Sequence, residues 1–198
     1  MDILEKLFGN AVRVKIMKLF LFHPESHFDK KDIIEKTKSN SSMVTKEVNL
    51  LEKIGFLRKV SFFKARESGK KRRTQGYVLD QTFKYIHSLQ KMLIDSSSMD
   101  NKEIIGRLNR AGKIKLIVAS GVFIQENDTR IDLLVVGDEL NQRRIKNTIS
   151  ILEADIGKQL KYTIFNTNDF KYRMGIYDRL IRDIFDYPHQ VVLDKIGL

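Results

Sequence analysis

The sequence predicts an α+β protein with two domains: a helical N-terminal domain that ends in a β-hairpin, and a small C-terminal domain with a mixed α/β sheet. In the first half, apolar residues at helical spacing are followed by two strand-like stretches. The second half alternates continuous apolar strands with helices, which is typical of a sheet covered on at least one face. The serines at residues 96–98 form a linker-like segment, so we assign the domains to residues 1–95 and 96–198.

Composition limits the classes of function. The 198 residues include no cysteine, which excludes disulfides and thiolate metal sites and fits a cytoplasmic location. No apolar run approaches about 18 residues, so we expect no membrane span and no signal peptide. Residues 1–95 carry 20 Lys and Arg against 11 Asp and Glu, whereas residues 96–198 carry 16 against 14. Such a basic half is expected to meet a polyanion, although a solubilising surface has the same composition.

Helical periodicity organises the first domain. Apolar spacing predicts a helix over residues 10–22, and Asp29 can cap a short helix over residues 30–37. A serine-rich turn leads to a third helix over residues 41–54, which Gly55 ends as a left-handed cap. A short helix, a turn and a longer helix together have the spacing of a helix-turn-helix.

A basic hairpin follows these helices. Residues 56–63 are strand-like and residues 77–79 supply a return strand, after which residues 81–94 have helical spacing. The intervening residues 64–76 carry six basic residues and one acid, so we expect a loop that projects into solvent. Its densest part is the run of Lys70, Lys71, Arg72 and Arg73.

Residues 8–80 resemble the winged helix-turn-helix of bacterial and archaeal transcriptional regulators. The resemblance rests on residues 7–13, on residues 39–57 and on the basic hairpin. It implies that the third helix reads the major groove of duplex DNA while the hairpin acts as the wing. Double-stranded RNA fits less well, because its A-form major groove is too narrow for a helix.

The third helix divides into two faces. We predict a buried stripe of Val44, Val48, Leu51 and Ile54. The other face carries the candidate DNA-binding residues Ser42, Thr45, Lys46, Asn49 and Lys53. A carboxamide can pair bidentately with adenine, so Asn49 is the candidate for base readout, whereas lysines bind phosphates. The four cations of the loop could neutralise about three or four phosphates, and an ordinary solvated helix face is the alternative interpretation.

The second domain has a simple order. Residues 104–108 predict a helix that Gly112 ends, and strands follow at residues 114–119, 131–136 and 160–165. Residues 141–156 predict a further helix, and residues 168–186 predict one or two more.

Residues 101–195 resemble the minimal nucleotidyltransferase fold of polymerase-β-type enzymes. In that family a strand leads to Gly-Ser, and the next strand carries two aspartates at alternate positions, which bind two metal ions together with a third carboxylate. Here Ala119 and Ser120 occupy the Gly-Ser positions, Arg130 replaces the first aspartate and Asp132 matches the second. The strand at residues 160–165 contains no acid. The resemblance therefore implies this fold without its catalysis.

Arg130 leaves two interpretations open. It is either a surface change in a decayed site, or it neutralises Asp132 and, with Ser120, forms a site for an anionic ligand such as a nucleotide. Asp128 lies too far from Asp132 to replace the lost carboxylate, about 13 Å along an extended strand. The four histidines have no ligand spacing and the phosphate-binding glycine motifs are missing, so we expect no catalytic residue, metal or cofactor.

These observations favour a transcriptional regulator whose N-terminal domain binds double-stranded DNA. The degenerate nucleotidyltransferase-like domain would sense a ligand, bind a partner or dimerise. A homodimer is expected because one recognition helix reads too few base pairs for high specificity. Two alternatives remain: an active nucleotidyltransferase that uses Asp132 on a nucleic acid or protein, and an antitoxin-like module whose partner is a protein.

Overall fold

The structure is a computed structural model that describes residues 3–65, 71–95, 101–126 and 129–198. It has the mixed α+β character that the sequence predicts, with two separate β-sheets. The chain forms two compact units, residues 1–97 with 151–158 and residues 98–150 with 159–198. The linker-like residues 96–98 lie outside the described ranges. Within those ranges, no helix combines the length and apolarity needed to cross a membrane.

Four helices open the N-terminal unit: α1 (Ile3–Leu7), α2 (Ala11–Phe22), α3 (Lys30–Thr37) and α4 (Ser41–Lys53). A polar side chain caps the start of α2, α3 and α4 by accepting a backbone N–H of the first turn. The caps are Asn10, Asp29 and Asn40. The predicted cap at Asp29 is therefore confirmed, and Gly55 follows α4 with the predicted left-handed backbone at φ 82°.

The core of this unit forms where α2, α3 and α4 bury their apolar faces. It includes the fully buried Ile16, Phe20 and Ile33. Of the stripe predicted on α4, Val44, Val48 and Leu51 are buried and Ile54 is not. Ile54 is 53% exposed because it lies past the last turn of α4, as the C-cap residue.

One charged residue is also buried on α4. The Glu47 side chain is 1% exposed and accepts hydrogen bonds from Asn10 Nδ2 at 2.8 Å and Arg13 Nε at 2.7 Å. Arg13 Nη1 in turn donates to the carbonyl oxygen of Phe8 at 2.9 Å. Since a buried carboxylate is tolerated only when paired, this network fixes α4 against the start of α2.

The hairpin is longer than the sequence predicts. Strand β1 (Leu57–Ala65) pairs antiparallel with β2 (Lys71–Leu79) in an unbroken register. The predicted loop over residues 64–76 was therefore too long, and Lys71, Arg72 and Arg73 lie on a strand. Pairing between strands satisfies backbone groups whatever the side chains are, so a polar, charged sequence does not prevent it.

One residue outside the hairpin, Phe28, forms an antiparallel bridge to β2. The amide of Phe28 donates to the carbonyl oxygen of Tyr77 at 3.0 Å, and the amide of Tyr77 donates back at 2.8 Å. This bridge joins the segment before α3 to β2.

The end of the N-terminal unit is less helical than the sequence predicts. Helix α5 (Ile86–Gln90) leads into a π-helical turn at Lys91–Asp95. The predicted helix starts late because Asp80 accepts hydrogen bonds from the amide and hydroxyl of Thr82, which holds residues 80–82 in a turn. Residues 151–158 belong to the same unit, in which Asp155 pairs with Lys15 at 2.7 Å.

The C-terminal unit is built on a four-stranded mixed sheet of β3 (Lys113–Ala119), β4 (Leu133–Asp138), β5 (Tyr162–Phe165) and β6 (Gln190–Asp194), in the order β5-β4-β3-β6. Strands β4 and β5 are parallel and the other pairs are antiparallel. The sequence does not predict β6, a five-residue edge strand that is mostly exposed and so lacks a strong apolar pattern. The α-helices in this part of the chain are α6 (Asn101–Leu108), α7 (Gln142–Ile156), α8 (Thr167–Gly175) and α9 (Arg179–Asp186).

Both faces of this sheet are covered. Leu134 and Val136 belong to a cluster with Phe170 and Ile184 of the last two helices. Val135 lies between them on β4 and is also fully buried. Because successive strand residues point to opposite faces, the burial of all three requires cover on both sides.

Replacing Glu47 by Ala should lower the free energy of unfolding by about 3 kcal/mol, because it leaves Arg13 and Asn10 without their acceptor. Urea unfolding followed by circular dichroism measures this. Glu52→Ala on the same helix is the control, since Glu52 is partly exposed and should cost less than about 1 kcal/mol. Equal losses in the two variants would contradict the assigned role of Glu47.

Candidate nucleic-acid interface and the Asp132 site

An exposed polar stripe runs along α4. Ser42, Lys46, Asn49 and Lys53 are exposed, and their side chains make no hydrogen bond or ion pair with the described part of the chain. They are spaced by four, three and four residues, so they lie on one face of the helix. Thr45 is half-buried at the edge of this stripe. The 13 residues of α4 extend for about 20 Å, so the stripe offers polar groups over nearly the whole length of the helix.

One face of the hairpin adjoins α4. Lys59 of β1 pairs with Glu52 of α4 at 2.9 Å. Alternate strand residues share a face, so Phe63 lies on the same side as Lys59, and its cross-strand neighbour is Arg73. The Phe63 side chain is 70% exposed. This face therefore combines cations with an exposed aromatic ring.

The opposite face of the hairpin is anchored to the segment that contains α3. The ring of Phe62 stacks on His27 with a centroid distance of 5.5 Å. Lys64 Nζ donates to Asp29 Oδ2 at 2.8 Å and to Asp32 Oδ1 at 2.5 Å. Burial acts against ionisation of both Asp29 and Lys64, yet their shared hydrogen bonds hold the pKa of Asp29 below its usual value and the pKa of Lys64 above its own.

The predicted basic run does not form a single cluster. Lys71 and Arg73 lie opposite Ala65 and Phe63, on the side of Lys59. Arg72 lies opposite Lys64 and shares the face anchored to α3. Lys70 lies outside the described residues. Successive side chains of a strand point to opposite faces, so neighbouring cations of the run are separated. A projecting loop would not separate them in this way.

Phe63 is a candidate interface residue that the sequence analysis did not select. A signal for it is present, because Phe62 and Phe63 are adjacent on a predicted strand and adjacent strand residues point to opposite faces. Only one of the two rings can pack against the segment before α3, so the other ring must face the remaining side.

In the C-terminal unit, Asp132 accepts hydrogen bonds from backbone amides. Asp132 is buried, with 4% of its surface exposed. Oδ1 accepts from the amide of Val122 at 3.1 Å, and Oδ2 accepts from the amide of Lys161 at 2.8 Å. Ser120 is also used within the protein, since its hydroxyl donates to the carbonyl oxygen of Ile131. The carboxylate thus ties the loop after β3 to the segment before β5.

Gly121 allows this arrangement. Its φ is +57°, and a Cβ at this position would lie 2.0 Å from Asp132 Oδ1 and 2.5 Å from the hydroxyl of Thr129. A larger residue would therefore strain the backbone and displace the carboxylate. Ser120 and Gly121, which follow β3, are here used for backbone packing.

Arg130 forms its ion pair with an acid other than Asp132. Its guanidinium pairs with Asp183 of α9 at 2.5 Å instead, with half of the Arg130 side chain exposed. The cavity lined by Ser120, Arg130 and Asp183 has a volume of about 10 Å³. Such a space holds at most about one water molecule. The three residues predicted to bind an anion therefore lie near one another but engage other parts of the protein.

The geometry of a two-metal site is not present in the part of the chain that the structure describes. There, no three His, Asp or Glu side chains come close enough to bind a metal ion. Asp128, the other acid considered near this strand, lies outside the described residues.

We expect Asp132→Ala to destabilise the protein by about 3 kcal/mol, because the amides of Val122 and Lys161 lose the buried carboxylate that accepts their hydrogen bonds. Arg130→Gln should cost less than about 1 kcal/mol, since its ion pair with Asp183 is partly exposed. Thermal unfolding of both variants compares the two sites. An Asp132→Ala protein as stable as the wild type would show that this carboxylate is not structural.

The chain was compared with protein families and with curated proteins. A scan against protein-family models finds no match to the chain, and a search of curated proteins finds no significant match.

Proposed function

We propose that this protein is a DNA-binding transcriptional regulator. Its N-terminal unit acts as a winged helix-turn-helix on duplex DNA, and its C-terminal unit is a catalytically degenerate nucleotidyltransferase-like domain. The observation that carries the proposal is the exposed polar stripe of α4 beside a basic β-hairpin.

The order of elements supports the winged helix-turn-helix assignment. Helix α2 is followed by the Phe28 bridge to β2, then by α3, α4 and the hairpin. A helix-turn-helix docks its second helix in the major groove, which is about 12 Å wide and admits one helix. In this proposal α4 is that recognition helix and the β1–β2 hairpin is the wing.

The side chains on the stripe suit two different tasks. Asn49 carries an amide donor and an acceptor oxygen, the pair that adenine requires in the major groove. Lys46 and Lys53 carry ammonium groups without a described protein partner, which suits contacts to phosphates. Ser42 lies in the first turn of α4, where a hydroxyl can bind a phosphate oxygen.

The wing contributes charge and one apolar contact. Lys71 and Arg73 supply cations on the face that adjoins α4. Phe63 lies opposite Arg73, and an exposed ring beside cations can pack against sugars and base edges while the cations hold the phosphates.

The role proposed for the C-terminal unit is regulation or assembly. The carboxylate oxygens of Asp132 are engaged by amides and Arg130 is engaged by Asp183, an arrangement that suits a structural part better than a metal-dependent active site. The unit would sense a ligand, bind a partner or mediate dimerisation. A homodimer remains part of the proposal, because two recognition helices read a two-fold site more specifically than one.

Binding to a 30-base-pair duplex should weaken steeply with salt, and fluorescence anisotropy over a range of salt concentrations measures the slope. In the double variant Lys71→Gln/Arg73→Gln, the loss of two phosphate contacts should make the slope shallower by about 2. Lys171→Gln/Arg179→Gln removes the same charge from exposed positions of the C-terminal unit and serves as the control. A wild-type protein that fails to bind duplex DNA at low salt would refute the proposal.

Asn49→Ala tests base readout. Sequence preferences of the wild type and the variant are determined by selection from random duplexes. The variant should lose discrimination worth about 1–3 kcal/mol at a single base pair, with little change in the salt slope. Lys46→Ala on the same stripe should instead weaken all sequences nearly equally. If Asn49→Ala leaves every position of the preferred sequence unchanged, α4 does not read bases through this residue.

A further inference from the structure

A basic cavity lies between the start of α3 and the hairpin, entirely within the N-terminal unit. Its volume is about 670 Å³, whereas the space beside Ser120 and Arg130 measures about 10 Å³. Ligand-binding cavities commonly measure about 300–1,000 Å³. We call it the α3–hairpin cavity; its walls are formed by Asp29, Lys30, Lys31, Lys59, Lys64, Ala65, Arg72, Thr74, Gln75, Gly76 and Tyr77.

The walls of the cavity carry a strong excess of positive charge. Five of the residues that form them are Lys or Arg, and Asp29 is the one acid among them. Two of the cations have protein partners: Lys64 binds Asp29 and Asp32, and Lys59 binds Glu52.

The other three cations of the cavity are Lys30, Lys31 and Arg72, and their side chains make no ion pair or hydrogen bond with the described residues. Three cations that face one cavity repel each other unless an anion lies between them. The cavity is therefore complementary to a ligand with about three negative charges.

Lys64 gives this site a fixed donor. An ammonium group has three N–H donors, and the two carboxylates that bind Lys64 occupy two of them. The third donor remains for a ligand. These bonds also hold the pKa of Lys64 above its usual value despite its partial burial, so the group stays charged. Tyr77, which is 5% exposed, adds an aromatic side chain to the same wall.

We propose that the α3–hairpin cavity binds a small, free polyphosphate, such as the diphosphate or triphosphate group of a nucleotide, and that this ligand weakens DNA binding. The second part rests on the proposed function. Arg72 belongs to the cavity and lies on β2 between Lys71 and Arg73, the two cations that we assign to DNA, so a bound polyphosphate would bring negative charge next to them and weaken their attraction for phosphates. One of the two interpretations of Arg130 placed an anionic ligand in the C-terminal unit, whereas this proposal places one in the N-terminal unit.

Calorimetric titration of the full chain with inorganic pyrophosphate tests the binding without DNA. We expect one site per chain in the wild type and about tenfold or more weaker binding in Lys31→Gln/Arg72→Gln, which loses two charge-assisted contacts. Both residues are exposed, so the variant should keep the wild-type melting temperature. Lys46→Gln/Lys53→Gln removes the same charge from the stripe of α4 and should bind pyrophosphate within about twofold of the wild type. No binding by the wild type, or equal weakening in the two variants, would overturn the proposal.

A second measurement separates this inference from the proposed function. DNA affinity is measured with pyrophosphate and with sulfate at matched ionic strength, which removes the general effect of salt. Pyrophosphate should weaken DNA binding beyond sulfate in the wild type and not in Lys31→Gln/Arg72→Gln. If pyrophosphate binds but the two salts act equally, the regulatory part fails. If the chain binds pyrophosphate and no DNA, the proposed function fails while the cavity assignment stands. If the cavity variant loses DNA binding and the wild type binds no pyrophosphate, the cavity belongs to the DNA interface and the inference is overturned.

Discussion

The buried carboxylate of Glu47 sets the position of α4, on which the proposed DNA-binding face depends. Apolar contacts of Val44, Val48 and Leu51 hold the helix on the core but allow small rotations about its axis. The buried carboxylate of Glu47 must accept hydrogen bonds from Asn10 and Arg13, and only one orientation of the helix about its axis permits both. The exposed stripe is thereby fixed relative to α2.

The hairpin is positioned by polar contacts on both of its faces. Lys59 ties one face to Glu52 of α4, while Lys64 ties the other to the cap and first turn of α3. These contacts keep a highly charged ribbon next to the helix pair, although its outer half buries little apolar surface. The same anchoring creates the α3–hairpin cavity, because Lys64 and the residues that start α3 form adjacent walls. The proposed DNA contact and the proposed polyphosphate site therefore share one structural cause.

Asp132 connects two backbone segments of the C-terminal unit. Asp132 keeps the position of a metal-binding aspartate in the family that the sequence resembles, yet its two oxygens accept amides of Val122 and Lys161. Arg130 pairs with Asp183, which lies more than fifty residues later in the chain. The sequence shows Arg130 where the resemblance predicts an aspartate, but it could not indicate which groups Arg130 and Asp132 contact.

Local patterns in the sequence determined the mixed α+β class, the caps at Asp29 and Gly55 and most of the buried stripe of α4, because capping and periodicity depend on neighbours a few residues away. Local patterns did not predict the half-exposed strand β6 or the full length of β2, because pairing between strands depends on backbone groups that are distant in the chain. The burial of Glu47, the partner of Arg130 and the α3–hairpin cavity were decided by tertiary structure alone. Each of them requires side chains from separate elements to meet, and the sequence of one strand or helix does not indicate which other element will pack against it.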